Sequence, residues 1–161
     1  MKKVIILFSI LFGIAMNLYA QKKAIFCKGK GYKGYVFDTS YLVLKSIKEQ
    51  KSKAVLSCDE IKIAENILKK NLSALNANKI NQTEGCPNIS KKLCKYHRQY
   101  FGFINSKGEK VIWINMFWNK EFNDKSKYEL IGVNDGCSYY WNIEVNITTN
   151  SLSNLQINGK G

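Results

Sequence analysis

Two hydrophobic periods divide the chain. In residues 57–75, "SCDEIKIAENILKKNLSAL", Ile61, Ala64, Leu68, Leu72 and Leu75 recur at steps of 3, 4, 4 and 3, with Ile67 beside them. That spacing predicts one apolar stripe on an amphipathic helix. Ser57 and Glu60 stand at the spacing of a capping box, and Asp59 adds negative charge at the positive end of the helix dipole. Lys62, Glu65, Asn66, Lys69 and Lys70 are read as lying outside the stripe.

From Tyr96 the period becomes two. "YHRQYFGFIN" and "EKVIWINMFWN" flank Asn105-Ser-Lys-Gly108, a short polar connection whose glycine suits a positive φ. "YELIGV" then leads through Asn134-Asp-Gly136 into "CSYYWNIEVNI", where Cys137, Tyr139, Trp141, Ile143, Val145 and Ile147 alternate with polar residues. Such alternation marks a strand with one buried face. Thr148-Thr-Asn150 turns the chain into "SLSNLQINGKG". The predicted fold is therefore α+β, one amphipathic helix packed on a curved four-stranded antiparallel sheet. Extra N-terminal strands are expected at Tyr35-Val-Phe37 and Tyr41-Leu-Val-Leu44. Residues 21–34 read as a loose lead-in, Lys45–Lys53 as a charged connection and Asn76–Lys92 as a loop holding the only proline.

The N-terminus adds a location. Lys2 and Lys3 precede an apolar run from Val4 to Met16, and Ala20 supplies a small residue at the exit. This is the pattern of a secretory signal peptide over residues 1–20. The run is shorter than the roughly 18–20 apolar residues that span a bilayer, and no later segment reaches that length. Residues 21–161 then form a single globular domain, exported to a periplasmic, cell-surface or secreted location, with no transmembrane segment after signal cleavage.

Charge is lopsided. Residues 21–100 hold 16 lysines and Arg98 against six acids, while residues 101–161 hold six lysines against six acids. A basic half can attract a polyanion, and Lys22–Lys33 and Lys91–Lys95 are the segments that would carry it. With 24 lysines and one arginine, the chain lacks the planar forks that read bases, so no specific nucleic-acid binding is expected.

Export makes disulfides the default state for Cys27, Cys58, Cys86, Cys94 and Cys137. Cys86 and Cys94, eight apart around Pro87, are expected to pair, and Cys27 is set with Cys58. Five is odd, so one thiol stays free or bridges two chains into a homo-oligomer. Cys94-Lys-Tyr-His97 has a Cys-x-x-His spacing, but a structural zinc site needs a second pair and none is present, so no metal and no cofactor is expected. His97 is the only candidate base for a small hydrolase, and no cysteine sits in a recognisable nucleophile setting. In a strand, His97 and Arg98 point to opposite sides and cannot act on one substrate. His97 is read as a surface or rim residue and Arg98 as a neighbour of Tyr96 and Tyr100.

Val111–Trp118 is apolar on both faces, whereas one helix covers only one. Either the N-terminal strands cover the second face and its aromatics pack as core, or it is a binding surface, for which Phe101, Phe103, Trp113 and Trp118 are the candidates, with an unknown protein or glycan as ligand. The segments "YHRQYFGFINSKGEKVIWINMF" and "VNDGCSYYWNIEVNITTNSLSNLQINGKG" resemble small exported bacterial proteins of unassigned function with a cystatin-like layout, over about residues 57–161. The resemblance implies a helix laid across a curved sheet. The Gln-x-Val-x-Gly hairpin of inhibitory cystatins is missing, so protease inhibition by that route is not implied. The function expected from these readings is that of an exported, non-enzymatic binding protein using an aromatic sheet surface.

Overall fold

A computed structural model of the chain describes residues 24–39, 47, 49–83, 85–118 and 123–161. The expected leader and the expected strand at 41–44 lie outside the described residues. Among the described residues the strands are β1 (Ile25–Gly29), β2 (Tyr32–Val36), β3 (Gln50–Ala54), β4 (Tyr96–Asn105), β5 (Lys110–Trp118), β6 (Tyr140–Asn146) and β7 (Ser151–Ile157), with one α-helix, α1 (Cys58–Leu75).

The fold is α+β, but the sheet has seven strands and is mixed, which corrects the four-stranded antiparallel expectation. Its order is β1-β2-β4-β5-β6-β7, and β3 also pairs with β4. The expected meander is present as β4 to β7, all antiparallel. The additional strands occupy the other edge of β4. There β2 runs parallel to Arg98–Tyr100, and β3 runs antiparallel to Gly102–Asn105. Residues 25–36 form a hairpin rather than a loose lead-in, and residues 50–54 are a strand rather than a charged connection. Their lysines and glycines hide the strand period because only Cys27 on β1 and Gly34, Tyr35 and Val36 on β2 are buried, with none on β3. Gly34 is required by its partner, since a Cβ there would lie 2.2 Å from the Arg98 carbonyl oxygen.

The helix begins where the capping box places it. The Ser57 N–H donates to Glu60 Oε2 at 2.9 Å, and the Glu60 N–H donates to Ser57 Oγ at 3.2 Å. Ile61, Ala64, Ile67, Leu68 and Leu72 face the sheet, whereas Leu75 at the end of the stripe is 44 % exposed. Glu65 is buried instead. It stands four residues after Ile61 and three before Leu68, so its position belongs to the buried face despite its charge. Against α1 pack Ile112, Ile114 and Met116 of β5 and Trp141, Ile143 and Val145 of β6.

The opposite face of the sheet is also covered. Tyr35, Phe37, Ile47, Phe101, Phe103, Val111 and Trp113 form a second core. Phe37 stacks on Phe101 at 4.7 Å, and Trp113 meets Phe101 edge-on at 5.4 Å. Farther along, buried amides dock the segment 126–131. Gln99 Nε2 donates to the Ser126 and Glu129 carbonyls at 2.9 and 2.6 Å, and Gln99 Oε1 accepts the Ile131 N–H at 2.9 Å. Asn115 Nδ2 donates to Gln99 Oε1 and to the Ile131 carbonyl at 2.9 and 2.6 Å. These bonds satisfy backbone groups that would otherwise be desolvated without partners.

Two disulfides close the fold. Cys27–Cys58 ties β1 to the first turn of α1, and Cys86–Cys137 ties the long loop to the start of β6. The expected Cys86–Cys94 pair is therefore corrected, and Cys94 is free and exposed. The loop docks on residues 137–139 by other bonds as well: Ser138 Oγ donates to the Pro87 carbonyl at 2.6 Å and Tyr139 Oη to the Gly85 carbonyl at 3.1 Å. That docking carries Cys86 to Cys137. In the chain-entropy account, a bridge closing a loop of either length contributes roughly 4 kcal/mol.

Candidate functional site

The four aromatics expected to form a ligand surface do not form one. Phe101, Phe103 and Trp113 are 5 %, 1 % and 5 % exposed inside the second core. Trp118 is half-buried on the helix side of the sheet, edge-on to Tyr96 and Tyr139 at 5.1 Å each. The structure thus groups three of the four as packing and separates the last from them. His97 is likewise interior, 1 % exposed and stacked against Phe117, which corrects its reading as a surface residue. Among the described residues no group of three His, Cys, Asp or Glu side chains could hold a metal ion.

What the fold does gather is a cleft of about 450 Å³ between three segments distant in sequence. The β1–β2 hairpin contributes Lys30 and Tyr32, α1 contributes Lys69 and Leu72, and the segment before β4 contributes Lys91 and Leu93. Cys94 lies at the junction, where a Cβ on Gly31 would come within 3.8 Å of its own Cβ. Of the two lysine segments suspected from the sequence, each therefore sends one member, Lys30 and Lys91, to the same opening. Lys69 is the member that sequence reading did not select. Lys30, Lys69 and Lys91 form no ion pair among the described residues.

Beneath them lies a neutralised ion pair. Arg98 Nε donates to Glu65 Oε1 at 3.1 Å, with the two side chains 1 % and 6 % exposed. Arg98 Nη2 donates to the carbonyls of Gly31 at 3.2 Å and Leu93 at 3.1 Å, and Nη1 to that of Tyr96. One guanidinium thereby ties the β1–β2 turn, the segment before β4 and α1 to a single point. This is the use for which a planar fork of donors is suited. The expected closeness of Arg98 to Tyr96 and Tyr100 is realised through the Tyr96 carbonyl and through Glu65, to which Tyr100 Oη donates at 2.8 Å. Burial, with the adjacent Glu65 charge, pushes the Tyr100 phenol well above its ordinary range, so it remains a donor. Burial also raises the Tyr32 phenol, again with help from Glu65, and its hydroxyl stays neutral.

The cleft is thus cationic at its rim, with a charge-balanced floor. A cleft of this volume falls within the range of small-molecule sites. Glu65 was accessible to sequence reading through its i+4 and i+3 relation to Ile61 and Leu68. Lys69 had no signal distinguishing it from Lys62 or Lys70. No protein-family model, no curated protein and no solved structure matches this chain.

Proposed function

We propose that this is an exported, non-enzymatic binding protein whose recognition site is the lysine-rimmed cleft, and that its ligand is acidic. One observation carries the reading: Lys30, Lys69 and Lys91 converge from three segments without ion-pair partners among the described residues. Unpaired cations around a concavity raise the local concentration of anions and speed their capture. The aromatic sheet face is not part of this proposal, because Phe101, Phe103 and Trp113 are occupied with packing. Export is supported by the signal-like N-terminus and by two disulfides, which persist in oxidising compartments. Among the described residues no helix is long and apolar enough to cross a membrane.

Cys94 provides a built-in probe of the local potential. The purified protein is alkylated with iodoacetate and, separately, with neutral iodoacetamide, and each rate is divided by that of the same reagent with the unfolded chain. The reading expects iodoacetate to be favoured at low salt, with the preference falling as salt is raised and falling again in Lys91→Ser. Equal normalised rates, unchanged by salt, would remove the cationic cleft and the function with it.

A further inference from the structure

The construction of the cleft narrows the class of ligand, and the argument rests on the reading of the cleft as an anion site. Sites for a bare oxyanion such as sulfate or phosphate present convergent N–H donors at their base. Here the strongest donor at the base, Arg98, is turned inward onto Glu65 and the carbonyls of Gly31, Leu93 and Tyr96. The base offers hydrocarbon instead. Leu72 is a member of the first core, and Tyr32 and Leu93 pack half-buried against it. The cations stand apart from this surface, because Lys30, Lys69 and Lys91 are all exposed at the rim. Lysine stems lie along apolar surface while their ammonium groups stay in water, so such a rim can follow a charged head group.

We infer that the cleft takes a small amphipathic organic anion, an aliphatic or aryl carboxylate or sulfonate. Its apolar body lies on Tyr32 and Leu93, the half-buried side chains above the buried Leu72, and its charged group lies among Lys30, Lys69 and Lys91. A long polyanion would use the same lysines but leave the apolar base without a role. The predicted order of affinity follows. An anion with a hydrocarbon tail binds better than a tail without charge, and better than a charge without a tail.

Titration calorimetry of the purified protein at low salt tests this with four probes: octanoate, 1-octanol, sulfate and heparin. The expected result is one equivalent of octanoate bound more tightly than 1-octanol or sulfate. Lys69→Ser and Lys91→Ser should each weaken octanoate about threefold, the scale of an exposed ion pair, and the double substitution about tenfold. Leu93→Ser should weaken octanoate and leave any sulfate binding unchanged. Because the lysines are exposed, circular dichroism of their variants should match the parent and exclude unfolding as the cause.

The failures are distinguishable. Lysine-dependent binding of sulfate or heparin without octanoate would overturn this inference and leave an anion site of another class. Binding of 1-octanol as tight as octanoate, insensitive to the lysines, would overturn it in favour of an apolar site. No lysine-dependent binding of any probe would overturn both this inference and the proposed function.

Discussion

Glu65 and Arg98 are 33 residues apart in the chain and meet inside the protein, Oε1 to Nε at 3.1 Å. The pair crosses from the helix to the sheet, and the same guanidinium holds both flanking segments of the cleft. Removing one partner leaves a buried charge without compensation, a loss of about 3–5 kcal/mol. Replacing both by apolar residues of similar volume removes the uncompensated charge. Denaturant melts should therefore show Arg98→Met and Glu65→Leu each strongly destabilised, and the double variant losing less than the sum of the two while staying below the parent, because the carbonyls of Gly31, Leu93 and Tyr96 and the Tyr100 hydroxyl lose their partners. Additive losses in the double variant would show that the pair is not coupled as described.

The aromatic residues divide by the same reasoning. Phe103→Ala empties a site 1 % exposed in the second core and should cost about 3–5 kcal/mol. Trp118→Ala removes a half-buried ring and should cost roughly half as much. Melts that leave Phe103→Ala as stable as the parent would return that face to consideration as a ligand surface.

Cysteine chemistry gives a count. Intact mass after alkylation without reductant should show one label per chain, mapped to Cys94, with the Cys27–Cys58 and Cys86–Cys137 bridges intact. A label on Cys137, with Cys94 found bridged to Cys86, would contradict the docking of the loop on residues 137–139. Cys94→Ser should leave the melting temperature unchanged, because its side chain is exposed and unbridged.

Acid should destabilise the protein through carboxylates that folding holds low, Glu60 and Glu109 among them. Burial pushes Glu60 up, but hydrogen bonds from Lys110 and from the backbone and hydroxyl of Ser57 outweigh it and hold the carboxyl below its ordinary value. Hydrogen bonds from Asn105 and Asn146 hold Glu109 low. A carboxyl depressed by folding stabilises the folded state above its unfolded pKa, and the contribution is lost as pH falls through the folded value. The melting temperature should therefore be insensitive to these groups at neutral pH and fall below about pH 4.5. Glu60→Gln should melt lower at neutral pH and with a shallower acid slope. An unchanged acid slope in that variant would rule out Glu60 as a contributor.

Much of this architecture was legible in the chain, for physical reasons that differ by segment. The helix announced itself because capping and stripe agree, β6 because a half-buried strand must alternate, and β4 and β5 because strands buried on both faces read as dense apolar and aromatic runs between turn residues. The strands on the far edge of β4 escaped notice because β3 buries no side chain, so Gln50–Ala54 carries no apolar period. The second face of the sheet stayed open between core and ligand surface because what covers it is partly polar backbone, docked by Gln99 and Asn115, and amides at such positions look like solvent-facing residues in a sequence. The cleft was half legible. Lys30 and Lys91 sit in segments marked by charge density, but their convergence depends on Arg98, whose carbonyl partners have no side-chain signature.

The account turns on where a ligand lands, and amide resonances of the isotope-labelled protein titrated with octanoate report that most directly. The predicted result is saturable shifts confined to Gly31, Tyr32, Lys69, Lys91, Leu93 and Cys94, with the amides of Phe101, Phe103 and Trp113 unmoved. Shifts centred on those three aromatics, with the cleft silent, would contradict it.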